Sequence, residues 1–207
     1  MSWEPVGFMF FSTLEFFAWY ALSLAIFRFK MTDYAWQALF VIILMNLQSY
    51  VLRNELSLEF IVPLTNILIF TLLFTTVVRI PIASSLIVTI SGFIVFAIIQ
   101  TVIVEIVFGS IAEAQSTLAN GYALQSMTAV IVFPLALLLY KYGYGFSFNL
   151  ERLRFKFEHV ITISTIVIFL AVMTFTLYYN RVWINIFFFA VTLLFFLYYA
   201  TGKEREA

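Results

Sequence analysis

Long runs with almost no formal charge constrain this chain more than any other feature. A helix needs about 20 mostly apolar residues to cross hydrocarbon. Seven such runs can be counted, at residues 6–27, 34–52, 58–78, 81–108, 122–140, 160–179 and 182–199. Their only charges are Glu15 within the first, Glu59 at the edge of the third and Glu105 near the end of the fourth. A membrane strand barrel would show segments of about ten residues alternating in polarity, and these runs are too long and too uniform for that. The expected fold is all-α, a polytopic membrane helical bundle of about seven transmembrane helices. Neither an internal repeat nor a low-complexity linker divides it, so a single transmembrane domain is expected over residues 1–207.

Composition agrees. The chain is 64% hydrophobic and 11% charged, against roughly 45–50% and 25% in soluble domains. Such a chain cannot cover a water-facing surface with polar groups. Net charge is zero, which excludes a basic groove for nucleic acid. The absence of cysteine removes disulfides, thiolate metal sites and thiol nucleophiles, and one histidine, His159, is too few for the usual His-rich centres. No cofactor is expected. The start, Met1-Ser2-Trp3-Glu4-Pro5, lacks the basic region of a secretory signal, so the first run is expected to remain a span.

Lys and Arg placement sets the orientation, because cytoplasmic loops of membrane proteins are enriched in them. With the amino end outside, the inner connections hold Arg28, Lys30, Arg79, Lys141, Arg152, Arg154, Lys156, Lys203 and Arg205, nine of the eleven; Arg53 and Arg181 fall outside. A six-span arrangement would put some of these on the wrong side. The carboxyl end is therefore expected in the cytoplasm. Trp3, Trp36, Trp183, Tyr178-Tyr179 and Tyr198-Tyr199 fall near the expected interfaces, where amphipathic rings anchor helices. Pro81 falls in the first turn of the fourth span, whereas Pro63 and Pro134 lie inside spans and should bend them or end a hydrogen-bonded run.

The longest inner connection, 141–159, interleaves Phe146, Phe148, Leu150, Leu153, Phe155 and Phe157 with polar and basic residues. It reads as a segment on the inner membrane surface, with rings in the acyl chains and Arg152, Arg154 and Lys156 at anionic headgroups. A role in setting topology alone fits the same pattern.

Ionisable groups within spans mark functional candidates. Glu15 falls near mid-membrane and has three open roles: a proton-linked group, a ligand contact, or a structural hydrogen-bond partner. Gln48, Arg53, Glu59, Gln100, Glu105 and Arg181 gather toward the outer half, with Asn46 approaching it, so a pocket opening outward is one reading and snorkelling to headgroups the other. Gln100 and Glu105 are about 140° apart around an ideal helix and do not closely share a face. The candidate ligand-binding set is Glu15, Gln48, Glu59, Gln100 and Glu105. Ala83, Ser84, Ser85, Ser91, Gly92 and Ala97 give the fourth span a small-residue packing face. Enzyme templates fail: nucleophile elbow, zinc-peptidase helix, phosphate loop and dinucleotide fingerprint are all missing. A pair of intramembrane aspartates is excluded too, since Asp33 is the only Asp.

Two stretches carry a family likeness. One is Leu73-Phe74-Thr75-Thr76-Val77-Val78-Arg79-Ile80-Pro81-Ile82-Ala83-Ser84-Ser85-Leu86, continuing through Ile90-Ser91-Gly92-Phe93 to Gln100; the other is Lys141-Tyr142-Gly143-Tyr144-Gly145-Phe146-Ser147-Phe148. With the helix count, they resemble the membrane sensor region of the AgrC-like quorum-sensing histidine kinases of Gram-positive bacteria. The resemblance implies a bacterial cell membrane protein that senses a secreted peptide from outside. Residues 201–207 fall where a family member would begin its signalling helix, so the expectation is a sensor region without the phosphoacceptor and ATP-binding domains, as a stand-alone protein, a decoy, a partner subunit or a truncated product. The expectation is a receptor-like, non-enzymatic integral membrane protein that senses an extracellular ligand, a peptide or small molecule, and signals through a membrane or signalling partner. Two alternatives are a small-molecule transporter or substrate-binding membrane subunit partnering a separate ATPase, and a scaffold subunit without ligand.

Overall fold

A computed structural model of the chain describes residues 4–54 and 62–146, with the isolated positions 160 and 164. Among the described residues every element is helical. Helix α1 spans Glu4–Ile26. Its end is a hydrogen-bonded cap in which Arg28 N–H donates to Ala25 O (3.0 Å) and Phe29 N–H to Leu24 O (2.9 Å). Arg28 there adopts the left-handed conformation, φ 60°, which satisfies carbonyls that a helix end leaves open. A 3-10 turn at Met31–Tyr34 leads into α2, Ala35–Asn54. The Tyr20 hydroxyl donates to Met31 O at 2.8 Å and ties that turn to α1.

Helix α3 covers Val62–Thr76 and α4 Ile82–Ile103. Pro63 is the second described residue of α3, and residues 55–61 before it lie outside the described residues. Pro81 precedes α4, and its carbonyl accepts from Ser85 N–H at 2.7 Å. A π turn, Val104–Phe108, extends α4 and closes where Gly109, φ 71°, returns its N–H to Val104 O. Residues 109–121, read from sequence as a connection, contain helix. Ser110 Oγ accepts from Glu113 N–H (3.1 Å) to start the single turn α5, Ile111–Ala114. Thr117 Oγ1 accepts from Asn120 N–H (3.1 Å) to start α6, Leu118–Tyr142. Pro134 lies within α6 without ending it.

Among the described residues, four helical segments are long and apolar enough to cross a membrane: Pro5–Ile26, Met31–Arg53, Ile82–Phe108 and Leu118–Tyr142; Val62–Thr76 is apolar but shorter. Five of the seven expected spans thus meet an apolar helix. Apart from positions 160 and 164, the runs 160–179 and 182–199 lie outside the described residues, as do the part of the surface segment 141–159 from residue 147 onward, Glu59, Trp3, Trp183 and the two Tyr pairs.

The chain divides into two compact units, the first from Met1–Asn46 and Val88–Phe148, the second from Leu47–Ile87 and Asn149–Ala207. In the first, α1 is the central helix, with Ala18, Tyr20, Ala21, Leu22 and Leu24 fully buried. Tyr122 stacks on Phe11 (4.7 Å) and Phe133 on Phe17 (6.1 Å), while Phe146 meets Phe27 (5.7 Å). Both numbers rise together, so α6 runs parallel to α1. Gln100, Phe96 and Gly92 meet Glu15, Trp19 and Ser23 in turn, so α4 runs antiparallel. In the second unit, α3 buries Thr71, Thr75 and Thr76. Their hydroxyls donate to carbonyls four residues back at 2.8, 2.8 and 2.7 Å, so their burial leaves no unmet donor. The outward row Ile90, Ile94, Ile98, Val102 and Ile106 is exposed and wholly apolar, the surface that hydrocarbon solvates and water does not.

Candidate functional site: a polar layer around helix α1

One turn of α1 makes side-chain hydrogen bonds to three other helices of the first unit. Ser12 Oγ accepts from Gln125 Nε2 on α6 at 3.0 Å. Thr13 Oγ1 accepts from Asn46 Nδ2 on α2 at 2.8 Å and itself donates to Met9 O at 2.6 Å. Glu15 Oε1 accepts from Gln100 Nε2 on α4 at 2.5 Å. At 1.5 Å per residue these α1 residues lie about 12–17 Å along the helix from Glu4, near the middle of a bilayer-length span. Gln125 is at a similar depth from the start of α6, as its parallel course requires.

Burial sharpens the picture. Ser12 and Asn46 are buried, while Glu15, Gln100 and Gln125 are half-buried. Two acceptor oxygens in the layer, Asn46 Oδ1 and Gln125 Oε1, are shielded and meet no hydrogen-bond donor among the described residues. A buried acceptor without a donor is costly, about 1–3 kcal/mol. Aromatic rings pack beside the layer toward the carboxyl end of α1: Trp19 lies 5.4 Å from Phe93 and 6.3 Å from Phe96.

Of the candidate residues, Glu15 and Gln100 are joined directly. Glu105 is exposed in the π turn at the end of α4 and does not share the inward direction of Gln100. Gln48 is buried in the second unit, with its Nε2 meeting no acceptor among the described residues. Beside it in sequence, Ser49 Oγ donates to Asn66 Oδ1 at 3.3 Å. Glu59 lies outside the described residues. The sequence-based set omitted Ser12, Thr13, Asn46 and Gln125. Asn46 and Gln125 were visible as amides inside apolar runs, which is the signal for helix–helix hydrogen bonding in lipid. Ser12 and Thr13 carried no such signal, because hydroxyls usually bond back to their own helix.

Among the described residues no group of three or more His, Asp or Glu side chains is placed to hold a metal ion. Among the described residues, the fold and the layer define four membrane-length apolar helices and a polar level inside the first unit. No protein-family model matches the chain, and no curated protein or solved structure is detectably similar to it.

Proposed function

We propose that this chain is a multi-pass membrane protein of about seven spans, carboxyl end cytoplasmic, that acts as a receptor-like sensor of an extracellular ligand and carries no catalytic site. The observation behind the sensing role is the branching of one α1 turn to α2, α4 and α6. A ligand that competes for any of those bonds changes the packing of at least two helices, and differential contact of that kind is what shifts a conformational equilibrium. The recognition residues in this reading are Ser12, Glu15, Gln100 and Gln125, rather than an outward pocket that includes Glu105.

Charge supports the orientation. In the first unit Arg28, Lys30 and Lys141 all stand at the carboxyl ends of α1 and α6, while the opposite end has Glu105 and Glu113 and no base between residues 104 and 121. Trp36, Tyr142 and Tyr144 are exposed at the basic end, where an interfacial belt belongs. The polar layer is then nearer the outer side, within reach of a ligand arriving there.

A second reading, transport in company with a separate ATPase, draws on the carboxyl of Glu15 at mid-span. Purification of the tagged chain from its native cells in a gentle detergent, with bound proteins identified by mass spectrometry, separates the two. The receptor reading predicts co-purification of a histidine kinase or response-regulator system; recovery of ATPase and coupling subunits instead would contradict it.

A further inference from the structure

We infer that the end of the first unit where α1 and α6 finish together binds the headgroup of one anionic phospholipid, held by Arg28 and Lys141 with the phenols of Tyr142 and Tyr144. It rests on the membrane placement proposed above and is independent of whether the chain senses or transports.

Backbone contacts hold the two helix ends together. Beyond α6 the chain crosses the end of α1, where Phe146 N–H donates to Ile26 O at 2.8 Å. The Phe146 ring meets Phe27 at 5.7 Å. Gly145, φ 151°, makes this approach possible, because a Cβ there would overlap Ile26 O and lie 3.2 Å from Ala25 O. Arg28 follows Ile26 by two residues and Lys141 precedes Gly145 by four, so both long side chains start from one locked junction. Arg28, Lys141, Tyr142 and Tyr144 are all exposed there, with the two Tyr rings 6.2 Å apart.

Charge selects the ligand. Open carbonyls at a helix carboxyl end repel an anion. Here they are engaged: Leu24 O accepts from Phe29 N–H and Ala25 O from Arg28 N–H, while on α6 Leu139 O and Tyr140 O accept from Tyr144 N–H and Gly143 N–H. What the junction presents outward is therefore positive. Lys30 is paired with Asp33 at 3.2 Å, whereas Arg28 and Lys141 have no acidic partner among the described residues. An arginine fork matches a pair of phosphate oxygens, a lysine adds a point charge, and phenolic O–H groups donate to the same oxygens. Basic sites between helix ends at a membrane surface bind anionic headgroups, and Tyr rings settle at that level. The strip below the bases identifies a lipid rather than a free phosphate. Leu137 and Leu138, four and three residues before Lys141, share its side of α6 and are exposed, so acyl chains have an apolar surface to lie along beneath the headgroup.

The test uses the full chain, extracted in mild detergent from alkali-washed membranes. Failure to remain in those membranes would contradict the membrane placement before any lipid is added. Thermal unfolding is then followed by tryptophan fluorescence as phosphatidylglycerol, phosphatidylcholine or inorganic phosphate is added. The site predicts a saturable rise in midpoint with phosphatidylglycerol and not with the other two. About fivefold more phosphatidylglycerol is needed in Arg28→Gln or in Lys141→Gln, the effect of one base at a membrane surface, and the double variant loses the rise. Arg28→Lys, which keeps the charge, and Arg53→Gln, in the last turn of α2, retain it. Gly145→Ala keeps every charge yet weakens the response, because it parts the two helix ends. Equal midpoints in phosphatidylglycerol and phosphatidylcholine, an equal rise with inorganic phosphate, or an unchanged lipid requirement in Lys141→Gln would overturn the site.

Discussion

A methyl group added to Gly92 would sit 2.7 Å from Ser23 Cβ and 2.9 Å from Ser23 Cα. The second of these is backbone, so α1 and α4 would have to separate. Substitution Gly92→Ala should therefore destabilise the fold by about 1–3 kcal/mol, the usual cost of overpacking, read as a lower unfolding midpoint in detergent. Ser23→Gly in the same chain should restore part of the loss; a Gly92→Ala protein as stable as the parent would contradict the close approach. The small-residue face of the fourth span was legible from sequence, and Ser84, Ser85 and Gly92 are indeed buried. Its meeting point was not, because a stripe of small residues says that something approaches and not which residue does. The same limit applies to Glu15 and Gln100. Both stood out as polar groups in apolar runs, but their pairing depends on the relative register of two helices, which uniformly apolar neighbours do not encode.

Helix ends carry a pattern that apolar runs hide. Arg28 and Arg79, just beyond α1 and α3, have φ values of 60° and 66°, and α6 closes on Gly143 at 66°. Gly143 N–H donates to Tyr140 O (3.1 Å) and Tyr144 N–H to Leu139 O (3.0 Å), the same cap that ends α1. Of the four left-handed residues at these helix ends, with Gly109 after the π turn, two are Arg where Gly would be easier. A left-handed residue with a Cβ costs roughly 1–2 kcal/mol, and a cation near a helix carboxyl end returns about 0.3–1 kcal/mol through the dipole. Arg28→Gly should thus be more stable than Arg28→Ala by about 1 kcal/mol, since both lose the charge but only Ala keeps the strain. Equal stability of the two variants would show that the cap is not formed. Sequence reading placed these bases correctly at the ends of spans. It missed α5 and the early start of α6, because Ser110 with Glu113 and Thr117 with Asn120 are capping pairs of two short starts, not breaks in hydropathy.

On the scale of the molecule, the account depends on the two ends of the first unit facing opposite sides of a membrane. One end gathers Arg28, Lys30, Lys141 and exposed aromatics; the other holds the π turn, α5 and, among the described residues, acidic side chains without a basic one. Helical class and the presence of membrane-length segments followed directly from composition, because burial in water needs polar surface that this chain does not have. The inward organisation around α1 did not, since its core residues and its lipid-facing residues are drawn from the same apolar set. The chain has no native cysteine, so single substitutions report without background. Gln115→Cys, exposed before α6, and Tyr144→Cys, exposed beyond it, can be treated in intact cells with a membrane-impermeant maleimide. The account predicts that Gln115→Cys is labelled from outside and Tyr144→Cys only after permeabilisation. Labelling of both in intact cells, or of Tyr144→Cys alone, would contradict it.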